Sequence, residues 1–186
     1  MKRRSWLLAG AGSAALVAGL AWQRGREEQR VQGASAAAGA SAPGGAPDPI
    51  AALWQMRFDQ PDGGTLDMAT LRGQPLLLNF WGTWCPPCVK EMPDLDRFAR
   101  RFGIQGWRVV GLAVDNPKAV REFLGRTPVS YLIGMAGFEG SELSRQLGNS
   151  QGGLPYTVAF DRQGVVVHRK AGATTLEELT SWAQKS

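Results

Sequence analysis

The chain has 186 residues, a formal charge of +5 and two cysteines. The charge is unevenly placed: residues 1–32 hold six Lys/Arg and two Asp/Glu, which leaves 15 Lys/Arg against 14 Asp/Glu beyond them. The folded part is therefore nearly neutral, and the composition gives no basic surface that would call for nucleic acid as a partner.

The N-terminus reads "MKRRSWLLAGAGSAALVAGLAWQRGREEQR". Lys2, Arg3 and Arg4 precede a run without charge from Ser5 to Gln23, and Arg24, Arg26 and Arg30 close it. This is the pattern of an export signal or a single membrane anchor. Trp6 to Trp22 as a helix would span roughly 25 Å, close to a bilayer core. The Ala40-Ser41-Ala42 site lies far beyond the apolar run, so a retained anchor over residues 1–32 is expected, with a cleaved soluble form as the alternative. Arg3-Arg4 also resembles a twin-arginine signal. Either route places the rest of the chain outside the cytoplasm, periplasmic or equivalent, with the positive end inside. Residues 33–49 are nearly all Ala, Gly, Ser and Pro and read as a flexible linker. Residues 50–186 have the size of one domain.

In that domain, "LWQMRFDQPDGGTLDMATLRG" reads as two short strands around a Pro61–Gly64 turn, then a helical turn near Met68–Leu71. "QPLLLNFWG" is a continuous apolar run, as in a strand buried on both faces. From Pro86 to about Arg101, Val89, Met92, Leu95, Phe98, Ala99 and Phe102 recur at helical spacing, with Pro93 expected to kink the helix. "WRVVGLAVD" is a second buried strand, Pro117 to about Gly125 a helix, "SYLIG" a short strand and "GSELSRQLG" a helix. "YTVAFDRQGVVVHRKAG" is a hairpin turning at Asp161–Gly164. "TTLEELTSWAQKS" is a last helix, with Thr174 three before Glu177 at capping-box spacing. Strands alternating with helices predict an α/β fold: a central sheet covered on both faces, mixed because the final pair is antiparallel.

Both cysteines sit in "WCPPC", as Cys85 and Cys88. A structural disulfide over so short a loop would remove little unfolded-state entropy. A closed zinc site needs four ligands, and the chain offers only His168 besides the two thiols. Methionine-assisted copper binding stays open. Thiol–disulfide exchange fits the context best, because the pair falls between a buried strand and a helix N-terminus, where a thiolate is stabilised. Cys85, at the helix start, is expected to face solvent and attack a substrate disulfide. Cys88, one turn inside, is expected to be covered and to resolve the mixed disulfide. Pro86 and Pro87 stiffen the loop, and Trp84 shields Cys85 or offers a contact surface. Glu91 is the carboxylate within one turn after Cys88 and the candidate to take its proton. The bland alternative is a solvated helix carboxylate.

"LLLNFWGTWCPPCVKEMPDL" resembles the active-site segment of the thioredoxin superfamily, and most of all the membrane-tethered TlpA/ResA/CcmG-type thiol–disulfide oxidoreductases. The resemblance extends from about Leu53 to the C-terminus and includes "VVGLAVD" and "GGLPYTVAFDRQGVVV". It implies a thioredoxin-like fold with an extra N-terminal β-hairpin, and a redox-active Cys85–Cys88 disulfide. It implies a cis Pro155 beside that disulfide, with Leu154 before it, and an acid at Glu91 near the thiols. Where thioredoxin carries a buried Asp, this chain has Asn79, which cannot take up a proton. The resemblance further implies exported protein thiols and disulfides as substrates, and a DsbD/CcdA-type membrane protein as electron donor. No cofactor and no metal are expected for this chemistry. A dedicated reductant for apocytochrome c or a copper-site protein is the enzyme alternative. A copper-handling or protein-binding module on the same fold is the non-enzyme one.

Overall fold

The computed structural model describes residues 48–185. The expected anchor, and the expected linker up to residue 47, lie outside the described residues. The first element is a short helix, α1 (Pro49–Leu53), with Asp48 as N-cap accepting the Ile50 N–H at 3.0 Å. Asp48 and Pro49, read above as the end of the linker, therefore start the fold. Proline suits that first position because its missing N–H would have no intrahelical partner there. Leu53 and Trp54, expected in a strand, end this helix instead and are buried. The strand begins later, as β1 (Arg57–Asp59), which pairs antiparallel with β2 (Thr65–Asp67). Asp67 then caps a 3-10 turn, Met68–Leu71, by accepting the Ala69 N–H at 3.0 Å.

The remaining elements follow the expected order. They are β3 (Leu76–Trp81), α2 (Pro86–Phe102), β4 (Arg108–Ala113), α3 (Pro117–Arg126), β5 (Leu132–Met135), α4 (Gly140–Gln146), β6 (Tyr156–Phe160), β7 (Val166–Ala171) and α5 (Leu176–Ala183). All seven strands form one sheet, in the order β2-β1-β5-β4-β3-β6-β7. β3, β4 and β5 are parallel, whereas β6, β7 and the N-terminal hairpin run antiparallel to their neighbours. The α2 helix is assigned without a break through Pro93.

Side chains alternate across a strand, so a strand buried on both faces feeds two cores. Every residue of β3 is buried. Leu76, Leu78 and Phe80 join one core with Leu53 of α1 and Leu143 of α4. Leu77 and Trp81 join the other, with Met92, Leu95 and Phe98 of α2, Val120 of α3, and Leu179 and Trp182 of α5. Asn79 shares the parity of Leu77 and Trp81. A polar residue thus stands in the middle of an apolar row, under the helix that carries the cysteines. No helix among the described residues is long and apolar enough to cross a membrane.

Helix α5 corrects one expectation. Its N-cap is Thr175, whose side chain accepts the Glu178 N–H, and not Thr174. Both threonines have a glutamate three residues on, so spacing alone does not choose between them. Thr174 is buried and engaged elsewhere.

Candidate active site

The chain leaves β3 at Trp81 and reaches the cysteines within four residues. Gly82 is required there: a Cβ on it would stand 2.7 Å from the Trp84 indole nitrogen. Trp84 donates that indole N–H to the Val114 carbonyl at 3.1 Å, which fixes the ring while leaving the residue 59% exposed. Beside it, buried Asp115 accepts from the Thr83 N–H at 2.9 Å and the Thr83 hydroxyl at 2.6 Å through one oxygen. Its other oxygen accepts the Asn116 N–H at 2.7 Å. Hydrogen bonds to a carboxylate are roughly twice as strong as neutral ones. The end of β4 thus pins the loop that presents the cysteines.

Cys85 is the N-cap of α2, with Pro86 and Pro87 in the first turn. The two cysteines form a disulfide with Cα atoms 5.3 Å apart, and the Cys88 N–H points at the Cys85 sulfur at 3.3 Å. In the dithiol form the same helix start, with its free N–H groups and dipole, favours a thiolate on Cys85. The exposure order is as expected but the magnitude is not. Cys85 is 3% exposed and Cys88 0%, so Cys85 does not face solvent in the oxidised protein. Both cysteines belong to the core that contains Leu77, Trp81 and Met92, and half-buried Leu154 packs against the same core. The Leu154–Pro155 peptide is cis. The register places it: Phe80 pairs with Tyr156, so Pro155 comes opposite the end of β3, where the cysteine loop departs.

Glu91, three residues after Cys88, is not a solvated helix carboxylate. It is 2% exposed. One carboxyl oxygen accepts the Asn79 side-chain N–H at 2.7 Å. The other accepts the Thr174 backbone N–H at 2.6 Å and the Thr174 hydroxyl at 3.0 Å. Burial raises its pKa above the ordinary glutamate value, and the donors and the positive charge of Lys170 offset this only in part. Asn79 also donates to the Thr157 hydroxyl oxygen at 3.0 Å, while its own buried oxygen has no partner among the described residues. Asn79 and Thr157 sit opposite each other on β3 and β6, and Lys170 on β7 continues the row. Lys170 is held by Glu178 of α5. His168 is half-buried and stacked on Trp182, with ring centroids 5.0 Å apart, so it is engaged in packing.

Residues 37–182 match the family model described as Redoxin. The chain belongs to the redoxin family. Among curated proteins it is 31% identical to the thiol-disulfide oxidoreductase ResA of Bacillus cereus over 125 residues, 67% of this chain and 70% of the relative. It is 40% identical to the thiol:disulfide interchange protein DsbE of Yersinia pestis over 127 residues, 67% of this chain and 63% of the relative. Among solved structures it resembles a thioredoxin-family thiol:disulfide interchange protein from Chlorobium tepidum TLS. The TM-score there is 0.61 at 26% identity, covering 70% of this chain and 91% of the other. A secreted Mycobacterium tuberculosis disulfide oxidoreductase gives a TM-score of 0.60 at 21% identity, covering 76% and 100%, and supports the fold alone. This redoxin is a thiol–disulfide oxidoreductase of the TlpA/ResA/CcmG kind.

Three residues of the redoxin's site escaped the sequence reading. Asp115 follows a strand and precedes Asn116, where an acid usually serves a turn or a helix cap, so nothing marked its hold on Thr83. Thr174 reads as a cap. Thr157 stands two residues after Pro155 in the stretch that carries the resemblance, but nothing there marked its contact with Asn79. The register of β3 with β6 places Thr157 beside Asn79, and pairing register is not written in either strand alone.

Proposed function

We propose that this redoxin works outside the cytoplasm as a reductase of disulfides in exported proteins. The Cys85 thiolate attacks a substrate sulfur, the substrate disulfide breaks, and one substrate thiolate leaves. Cys88, deprotonated, then attacks the Cys85 sulfur and releases the second substrate thiolate. The chain ends as the Cys85–Cys88 disulfide, the substrate as a dithiol, and two electrons have passed from chain to substrate. Glu91 accepts the proton that Cys88 must lose. Trp84, Pro86, Pro87, Leu154 and Pro155 shape the surface that meets the substrate backbone. A DsbD/CcdA-type membrane protein restores the dithiol; a dedicated reductant of apocytochrome c or of a copper-site protein is the alternative reading of the same chemistry.

The observation that carries this reading is the Cys85–Cys88 disulfide at the start of α2, with buried Glu91 three residues on. Its direction is tested by the reduction potential of the pair. A reductase is expected on the thioredoxin side, below roughly −200 mV. A value near that of a strong oxidant, about −120 mV, would make the chain a donor of disulfides instead.

The tether is part of the same proposal and rests on the uncharged run from Ser5 to Gln23. The full-length chain is expected to stay with membranes through alkaline washing. Recovery of a soluble form beginning near Trp22, or within Gly33–Pro43, would remove the anchor from the proposal.

A further inference from the structure

Asn79 cannot carry a proton, yet its surroundings match two proton states. An asparagine amide offers two donors on nitrogen and two lone pairs on oxygen. Here the nitrogen uses both donors, one to Glu91 at 2.7 Å and one to the Thr157 hydroxyl oxygen at 3.0 Å. The oxygen is buried and unpartnered. A half-turn about the last side-chain bond exchanges the two atoms, and that torsion is two-fold and broad. The oxygen would then face the same two neighbours with its two lone pairs. A protonated Glu91 donates to it, and so does the Thr157 hydroxyl, because a hydroxyl gives or takes equally well. The nitrogen becomes the unpartnered group in place of the oxygen, so the number of unmet groups does not change.

We propose that the Asn79 amide reverses whenever Glu91 gains or loses a proton, and is the positioning residue that fits one buried carboxyl to both states. Without reversal, a proton on the Asn79-facing oxygen of Glu91 would meet an N–H donor head on. The other groups around Glu91 do not supply this adaptation. The Thr174 backbone N–H only donates, and Lys170 of β7, bound to Glu178 of α5, only favours the anion. His168 of β7 is stacked on Trp182. Tyr131, ahead of β5, has its hydroxyl held neutral by burial and by the charges of Glu91 and Asp96. On α2 itself Cys85 and Cys88 are joined as a disulfide and offer no ionisable thiol in the oxidised chain. β3, β4 and β6 bring no ionisable side chain to this face. The Thr174 hydroxyl is the rival hydrogen-bond acceptor: with the proton on the Glu91 oxygen that faces it, it would rotate to accept that O–H and leave Asn79 unmoved.

The reversal rests on the Glu91 reading above for its timing in the reaction, and on the hydrogen-bond inventory for its existence. Nuclear magnetic resonance of the full-length oxidised chain, labelled in Asn and Glu side chains and at Thr methyls, separates the two. Above the Glu91 carboxyl midpoint, the Asn79 amide protons are expected to show contacts to the Thr157 methyl. Below it those contacts are expected to be lost, with the same midpoint. In Glu91→Gln, which presents a donor at all pH values, the Asn79 signals are expected to stay in the low-pH form throughout. Contacts that persist below the midpoint overturn the reversal and assign the proton to the Glu91 oxygen that faces Thr174. So does a Glu91→Gln protein that keeps the high-pH contacts. Should that variant not fold, the wild-type titration decides alone. An unchanged exchange rate in Glu91→Gln removes Glu91 as a base and leaves the amide readout untouched, so the two ideas fail separately.

Discussion

Cys88→Ser is expected to convert a turning-over reductase into a trap. In the reduced variant Cys85 still sits at the start of α2, where the helix end favours a thiolate. It attacks a substrate disulfide and forms the mixed disulfide as before. A serine hydroxyl at pH 7 does not displace sulfur from sulfur, so the reaction stops with substrate and enzyme joined. Steady-state disulfide reduction falls to background, while covalent complexes accumulate that dissolve on treatment with dithiothreitol. Cys85→Ser is the matched control. It is expected to lose activity equally and to trap nothing, since the remaining thiol lies at 0% exposure one turn inside the helix. Complexes that form with Cys85→Ser and not with Cys88→Ser would reverse the two roles.

Glu91→Gln is expected to slow disulfide exchange by roughly a hundredfold near neutral pH, a size common for loss of one positioned base. The thiol Cys88 is covered, and burial makes a thiol hold its proton more tightly. Glu91 is placed to relieve this, and its raised pKa brings it closer to the range where a base is useful. The same negative charge opposes a nearby thiolate, so the variant is also expected to titrate its thiols at lower pH. A stability signature accompanies the kinetic one. A carboxyl whose folded pKa is raised above its unfolded value of 4.5 stabilises the fold fully below that value. The contribution disappears as pH rises through the folded pKa. The oxidised wild type should therefore lose stability across that window relative to Glu91→Gln, measured by urea midpoints at a series of pH values. Parallel stability profiles with an unchanged exchange rate and unchanged thiol titration would show that the proton leaves through water.

What the sequence made legible, and what it did not, divides along the range of the interactions involved. The β3 run Leu76–Trp81 could be read because both of its faces are covered, and a short segment with five apolar residues in six, ended by Gly82, has few other uses. The α2 start could be read because Pro86 and Pro87 are favourable only there. The helix Pro49–Leu53 was missed because five residues carry too little periodicity, and its cap sits at the edge of an Ala/Gly/Pro tract. Thr174 was misread as a cap because its true partner, Glu91, lies 83 residues away in the chain. The burial of Cys85 was missed because the helix start alone does not show what packs over it: Cys85 belongs to a core with Leu77, Trp81 and Met92. Local rules placed the elements and the two cysteines. Asn79 and Glu91 share one short stretch of sequence, but the Thr174 and Thr157 contacts that complete the shell lie 83 and 78 residues away in the chain, and no local window contains them.

That distance between Glu91 and Thr174 bears on how the protein comes into being. A chain emerging from its N-terminus exposes the cysteine pair and the carboxyl early, in the first half of its length. The backbone N–H and hydroxyl that complete the carboxyl's shell arrive only with the segment leading into the last helix. Until that segment docks, the nascent protein carries two thiols and a Glu91 whose hydrogen-bond shell is unfinished. On the role proposed above for Glu91, the cysteine pair is therefore present before the groups that would set its proton traffic are in place.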